Sequence, residues 1–201
     1  MPRIILASQS PRRRQLLAQI GVTDFDILVP DADESYDPAL SPQDIVCSIC
    51  RKKAEAARLL ADDPGAVLIA ADTMVFLDGL RLGKPRSQEE AFAMLSALSG
   101  RTHHVCTGVT VCQGGRMETR PETTDVIFRP LTEAEIRSYI RTGDPMDKAG
   151  AYGIQGTGGL FVQRLSGDYY NVMGLPVCAL AQMLRQVGVR ILGVANEEET
   201  F

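Results

Sequence analysis

The sequence has no excess of positive charge, no long apolar run, no internal repeat and no low-complexity tract, and each absence narrows what it does. Lys and Arg number 21 against 25 Asp and Glu, a formal net charge of −4, with a pI near 5.3. Duplex binding depends on Lys and Arg neutralising phosphates, so this balance argues against a nucleic-acid polymer as partner; any polyanion handled is small and held locally. No apolar stretch approaches the roughly 20 residues of a membrane span. Residues 1–7 are followed at once by a basic polar segment, which reads as neither signal peptide nor anchor. The five cysteines, an odd number in a chain too long to need disulfide staples, fit a reducing compartment, expected to be the cytoplasm. Cys47 and Cys50 form one C-x-x-C in a helical pattern, but no second pair completes a zinc site. His103 and His104 lie near Cys106 in a segment that alternates like a strand, so their side chains are expected on opposite faces.

What is present is 201 residues with 45% hydrophobic content, enough for a sizeable core. Ile4 to Ala7 reads as a short strand, and Ser10-Pro11 as a helix N-cap followed by Pro at N1, opening a helix to about Ile20. A second strand over Asp26 to Val29 leads into a loop holding Asp31, Asp33, Glu34 and Asp37. After Ser41-Pro42, the residues Val46, Ile49, Cys50, Ala57 and Leu60 recur at helical spacing. Ala66 to Ala71 is a continuous apolar run ending at Asp72-Thr73, which predicts a buried strand with a carboxylate at its end. Asp78-Gly79 marks a hairpin, Ser87 to Leu98 a capped helix, and Gly114-Gly115 a turn between two longer strands. Thr132 to Glu135 caps another helix, and Pro176 begins a last one to about Val187. Strands and helices interleave, so the fold class is α/β, or mixed α+β, with a mixed sheet.

Several residues sit where their chemistry needs a reason. Ser8, Ser10, Arg12 and Arg13 gather hydroxyls, backbone N–H groups and guanidiniums at a helix N-terminus, where the macrodipole favours an anion. The inward stripe of Leu16, Leu17 and Ile20 passes through Arg13, with Arg12 at its edge and Arg14 outside. A capped helix with a solvated basic first turn is the plainer alternative. Lys53 falls on the apolar stripe of its helix and Lys52 does not; snorkelling is the plainer account. Asp72 closes a very apolar run and suits ligation of Mg²⁺, orientation of water, or the start of a turn. Glu34 is a second carboxylate for the same cation, with Asp31 and Asp33 as competitors. Gly83-Lys84-Pro85 lacks the glycine spacing of a Walker A loop. The run from Asp147 to Gly156 combines small residues with Lys, Tyr and Gln; it allows a ligand close to the backbone, and the Gln155 amide suits a pyrimidine edge.

Together these segments closely resemble the Maf family of nucleotide pyrophosphatases, once called septum formation inhibitor proteins. The carriers are Leu6 to Arg13, Ala71-Asp72-Thr73, Gly83-Lys84-Pro85, Ser99 to His103, Thr107-Gly108-Val109, Asp147 to Gly156 and Gly174-Leu175-Pro176. The resemblance implies a mixed α/β structure of two lobes around a cleft, related in shape to inosine triphosphate pyrophosphatases, usually a homodimer. It would form one catalytic domain over residues 1–192, leaving 193–201 as a flexible tail. It implies hydrolysis of a phosphoric anhydride with a divalent cation, Mg²⁺ or Mn²⁺. Carried onto matching positions, Ser8, Ser10, Arg12, Arg13, Lys53 and Lys84 would hold phosphate, Asp72 would be the catalytic carboxylate, and Glu34 would join it on the metal. The combination of Arg12, Thr73 and Gln155 is similar to the branch acting on dTTP and UTP, with modified pyrimidine nucleotides as further substrates. The rival expectation is a nucleotide-binding regulator of cell division without turnover.

Overall fold

The computed structural model describes residues 2–192, so the expected tail over 193–201 lies outside the described residues. In chain order the elements are β1 Ile4–Leu6, α1 Pro11–Gln19, β2 Asp26–Ile27, α2 Pro42–Leu60, β3 Val67–Leu77, β4 Leu80–Leu82, α3 Gln88–Leu98, β5 Thr102–Gln113 and β6 Arg116–Phe128. There follow α4 Glu133–Arg141, β7 Val162–Ser166, α5 Tyr169–Val172 and α6 Val177–Gln186, with 3-10 turns at Asp144–Asp147, Ala149–Ala151 and Thr157–Phe161. One seven-stranded mixed sheet runs β2-β1-β3-β5-β6-β7, with β4 also on β3. β1 is parallel to β2 and β3, and the remaining pairs are antiparallel.

Local chemistry explains most element ends. Ser10, Ser41, Ser87 and Thr132 are N-caps whose side chains accept a backbone N–H of the first turn, and Thr132 with Glu135 completes a capping box. The Asp78-Gly79 turn has both residues at positive φ, +52° and +79°, the twist that a two-residue hairpin requires.

The strand over Asp26 to Val29 is shorter than its sequence suggested, pairing only as Asp26–Ile27. The apolar stripe of α2 ends at buried Ala57: the last turn overhangs the sheet, leaving Leu59 77% and Leu60 60% exposed. A larger correction concerns Asp72, expected at a strand end. β3 runs through it, 11 residues in all, because β5 pairs with it from Leu68 to Phe76, Asp72 opposite Gly108 and Thr73 opposite Thr107.

What ends beside Asp72 is the neighbour on the other edge. β1 accompanies β3 only as far as the Ala7 N–H donating to the Ile69 carbonyl at 2.7 Å, and β4 joins at Val75. Between them the edge of β3 has no strand partner among the described residues, and the cleft opens there.

The pleat divides the two sides of this gap. Leu68, Ala70, Met74 and Phe76 pack beneath α2 with Cys50, Ala54, Val46 and Ile49. Ile69 and Ala71 face the opposite layer with Leu16, Leu17 and Leu180. Helix α2 lies close on the sheet because Gly108 has no side chain: a Cβ there would stand 2.6 Å from the Val46 carbonyl oxygen. That contact sets the helix bearing Lys53 over the strand bearing Asp72.

Candidate active site

The loop leaving β1 folds onto the start of α1. The Ser8 hydroxyl accepts the Ser10 N–H at 3.2 Å, and Ser10 caps the helix by accepting the Arg13 N–H at 3.5 Å. No acidic residue occupies the first turn, so its positive end is offset by no carboxylate of its own. Three consecutive arginines then diverge. Arg14 turns back to the Gln9 carbonyl at 3.4 Å, Arg12 reaches Asp147 Oδ2 at 3.3 Å across the cavity mouth, and Arg13 points beneath the loop.

Arg13 spreads its guanidinium over three oxygens. Nε donates to the Gly174 carbonyl at 2.8 Å, one Nη to Ser8 Oγ at 3.1 Å and the other to Thr73 Oγ1 at 3.0 Å. Burial lowers its pKa from the ordinary arginine value. Thr73 in turn shares a hydrogen bond with Thr107 at 3.0 Å, and Thr107 donates to the Asn171 carbonyl at 3.1 Å. The fully buried Asn171 amide donates to the Val105 carbonyl and Thr124 Oγ1. Gly174, at φ +101°, turns the chain so that its carbonyl faces Arg13. Ser8, Arg13 and Thr73 therefore belong to one tied network beneath the cavity, and two of the five guanidinium protons remain for a ligand.

On the α2 side, Lys53 Nζ lies 2.7 Å from Asp72 Oδ1 and 2.8 Å from a Glu34 carboxylate oxygen. Burial opposes the ammonium charge, but Asp72 and Glu34 outweigh it and hold Lys53 above the ordinary lysine range. The Lys53 hydrogen bond, against some burial, pulls the Glu34 carboxyl down. Asp72 is the enclosed member, with 13% of its side chain exposed against 59% for Glu34. Asp33 faces elsewhere: its carboxylate accepts from Ser35 and from outward-pointing Lys52, which bring its pKa to about 2.

These groups line a cavity of about 980 Å³, at the top of the range of roughly 300–1,000 Å³ usual for small-molecule sites. Lys84 and Gln155 stand exposed on its lining, and Lys84 makes no hydrogen bond or ion pair among the described residues. Ser8, Ser10, Arg12, Arg13, Glu34, Lys53, Asp72, Thr73, Lys84 and Gln155 thus all border one space. Sequence reasoning gave no role to Thr107, Asn171, Tyr139 or Asp144. Thr107 and Asn171 are far from Arg13 in the chain and carry no local signal; the glycines around Lys148 were the only hint of the other two.

The remaining polar groups sort themselves. Cys47, Cys50, Cys106 and Cys112 are buried free thiols, and burial pushes Cys50 up to about 12. His103 is enclosed and bonds the Tyr152 hydroxyl at 2.7 Å, with burial lowering its pKa to about 3, whereas His104 pairs with Asp125 outside. No group of three or more His, Cys, Asp or Glu able to hold a metal occurs among the described residues, and no helix there is long and apolar enough to cross a membrane. Asp72 and Glu34 both contact the Lys53 ammonium, so the two carboxylates converge where one cationic group already sits. Two carboxylates completed by substrate oxygens are what a hard divalent cation takes.

Comparison with known proteins identifies the family. The family model described as Maf-like protein matches residues 3–187. A dTTP/UTP pyrophosphatase of Bacillus velezensis is 47% identical over 188 residues, covering 94% of this chain and 98% of the relative. A dTTP/UTP pyrophosphatase of Symbiobacterium thermophilum is 47% identical over 191 residues, covering 95% and 97%. Among solved structures, a HAM1 protein from Coxiella burnetii aligns over 92% of this chain and 100% of its own with TM-score 0.48 and 13% identity. With the family model covering nearly the whole chain and relatives at this identity, the chain belongs to the Maf family.

Proposed function

We propose that this protein hydrolyses dTTP and UTP, and modified pyrimidine nucleotides of the same shape, between the α and β phosphates, releasing the monophosphate and pyrophosphate. The carrying observation is Asp72, enclosed in the gap of β3 and held by Lys53, at the base of a cavity walled by Arg12, Arg13 and Lys84. The relatives, dTTP/UTP pyrophosphatases by name, supply the substrate.

The residues divide the work by position. Arg12, Lys84 and the start of α1 neutralise the phosphate chain, and Arg13 fixes the Ser8 loop against Thr73 and Gly174 while offering its two remaining protons. Asp72 orients a water and accepts its proton as the water oxygen bonds to the α phosphorus. The bond from that phosphorus to the bridging oxygen then breaks, and pyrophosphate leaves with the electron pair. Lys53, 2.7 Å from Asp72 Oδ1, holds that carboxylate in place before attack. Positioning and charge supply most of the rate, as in phosphoryl transfer generally. Asp72 and Glu34 would hold Mg²⁺ or Mn²⁺, which when bound supplies charge neutralisation at the phosphate oxygens. Gln155, exposed in the cavity lining, reads the pyrimidine edge. A cytoplasmic homodimer belongs to the same proposal, on family resemblance.

The test is product analysis on canonical and modified triphosphates with Mg²⁺ or Mn²⁺, running Asp72→Asn beside the wild type. Monophosphate and pyrophosphate from dTTP and UTP are expected, with turnover reduced about 10²- to 10⁴-fold in the variant, the contribution of a positioned base. Orthophosphate and diphosphate as products would move the cut to the terminal phosphate. No turnover by the wild type would leave a nucleotide-binding regulator.

A further inference from the structure

Lys148 borders the cavity, yet its ammonium has no proton left for a ligand. Nζ donates to the Asp144 carbonyl at 2.6 Å, to Asp144 Oδ1 at 2.9 Å and to Asp147 Oδ1 at 2.7 Å, and an ammonium carries three protons. Its side chain is 13% exposed. The second Asp144 oxygen accepts from the Tyr139 hydroxyl at 2.6 Å, and that hydroxyl accepts the Gly153 N–H at 3.1 Å. A continuous polar connection therefore runs from Lys148 through Asp144 and Tyr139 into the backbone two residues before Gln155.

Packing gives the same account independently. A Cβ at position 153 would stand 2.5 Å from Lys148 Cε, and one at position 158 would stand 2.7 Å from the Tyr139 hydroxyl oxygen. Both glycines make room for the two side chains, so the segment between them lies directly on Lys148 and Tyr139 with exposed Gln155 within it. The Tyr139 ring is fixed edge-on against Phe161, centroids 5.1 Å apart. Lys84 makes the contrast: it borders the same cavity, is exposed, and makes no hydrogen bond or ion pair among the described residues.

We propose that Lys148 and Tyr139, clamped through Asp144, are positioning residues that set where Gln155 stands in the lining of the cavity that holds Asp72, and that Lys148 itself holds no phosphate. The proposal rests on the pyrimidine triphosphatase reading above. The lysines of the cavity then differ in role, Lys84 serving the phosphates and Lys148 serving discrimination between bases. The neighbouring Arg12–Asp147 pair, at 3.3 Å with Asp147 65% exposed, is a weak outer link that a phosphate chain displaces at little cost.

The experiment compares Tyr139→Phe, Lys148→Met and Lys84→Met by three readouts, namely amide exchange at Gly153 without ligand, affinity for tripolyphosphate, and kcat and KM for dTTP, UTP and CTP. Tyr139→Phe removes one oxygen and keeps the ring. It is expected to speed Gly153 exchange and to lower selectivity for dTTP over CTP by about three- to tenfold through KM, the range of one lost hydrogen bond, with kcat for dTTP nearly unchanged. Tripolyphosphate has no base, so Tyr139→Phe and Lys148→Met should bind it as the wild type does, while Lys84→Met binds it more weakly. Weakened tripolyphosphate binding in Lys148→Met, with folding retained, would make Lys148 a phosphate ligand and overturn the proposal. Unchanged Gly153 exchange in Tyr139→Phe would overturn the clamp. Should Lys148→Met not fold, Tyr139→Phe carries the test alone. A wild type that neither binds nor cleaves a pyrimidine triphosphate would sink the functional reading, and Gly153 exchange would still decide the clamp.

Discussion

Asp72 and Thr73 are adjacent in the chain and meet opposite surroundings. On the α2 face Asp72 finds Lys53 and, beyond it, solvent-exposed Glu34, a short run of full charges. On the other face Thr73 finds Arg13, Thr107 and the Gly174 carbonyl, a web of neutral oxygens around one guanidinium with no carboxylate in contact. The first cluster can exchange partners when a polyanion arrives, because its charges are few and one of them is wet. The second has its bonds already made and acts as support. The alternation of a β-strand thus separates chemistry from scaffolding across a single peptide bond.

Arg13→Met should sharpen that contrast most. It leaves the Gly174 carbonyl with only the longer contact from the Thr73 hydroxyl and breaks the links to Ser8 and Thr73, costing about 1–3 kcal/mol of stability as well as activity. Arg13→Lys should not restore either, since one ammonium cannot reproduce a three-way planar fork. Thermal melting beside kcat/KM checks this; a variant with the wild-type Tm would show that the Thr73 face is no scaffold. Thr107→Val comes next, removing the hydroxyl between Thr73 and the Asn171 carbonyl for about 0.5–1.5 kcal/mol by denaturant titration. A loss confined to turnover, with stability intact, would place Thr107 in the chemistry instead.

The smallest effect concerns acid. Lys53 holds the Glu34 carboxyl below its ordinary value of 4.5, so Glu34 contributes stability that is present above that pH and is lost as pH falls through the lower folded value. Glu34→Gln should lower Tm at neutrality by a small amount, because Glu34 is exposed, and flatten the acid limb of Tm against pH below about 4.5 by that same small amount. Arg13→Met should lower the whole curve and keep the wild-type acid slope. If both variants lost the slope, the two faces would be electrostatically one.

How much of this was legible in the sequence depends on range. Caps and turns were readable because their signals are local: Ser10-Pro11, Ser41-Pro42, Asp78-Gly79 and the Thr132–Glu135 box all stand where the residue types placed them. Helical angle alone separated Arg13 from Arg14 and Lys53 from Lys52, and their side chains do diverge. Asp72 was misplaced within its strand because a polar pair after an apolar run looks locally like an end. Only pairing with β5, more than 30 residues later, carries the strand onward. The Thr107–Asn171 link and the Tyr139–Asp144–Lys148 clamp were invisible for related reasons: a threonine in a strand and a tyrosine in an amphipathic helix fit ordinary core or surface patterns.

The uninterrupted course of β3 has a mechanical consequence. The strand is a single beam, riveted to β5 from Leu68 to Phe76, and both walls of the cavity are mounted on it. The cavity is a notch cut in one edge of that beam, where β1 stops and β4 has yet to begin. Widening such a notch would bend a strand hydrogen-bonded to β5 from Leu68 to Phe76. The spacing between the Ser8 loop and the wall bearing Lys84 is therefore set by the sheet, and adjustment to substrates of different size falls to the side chains and loops at the rim.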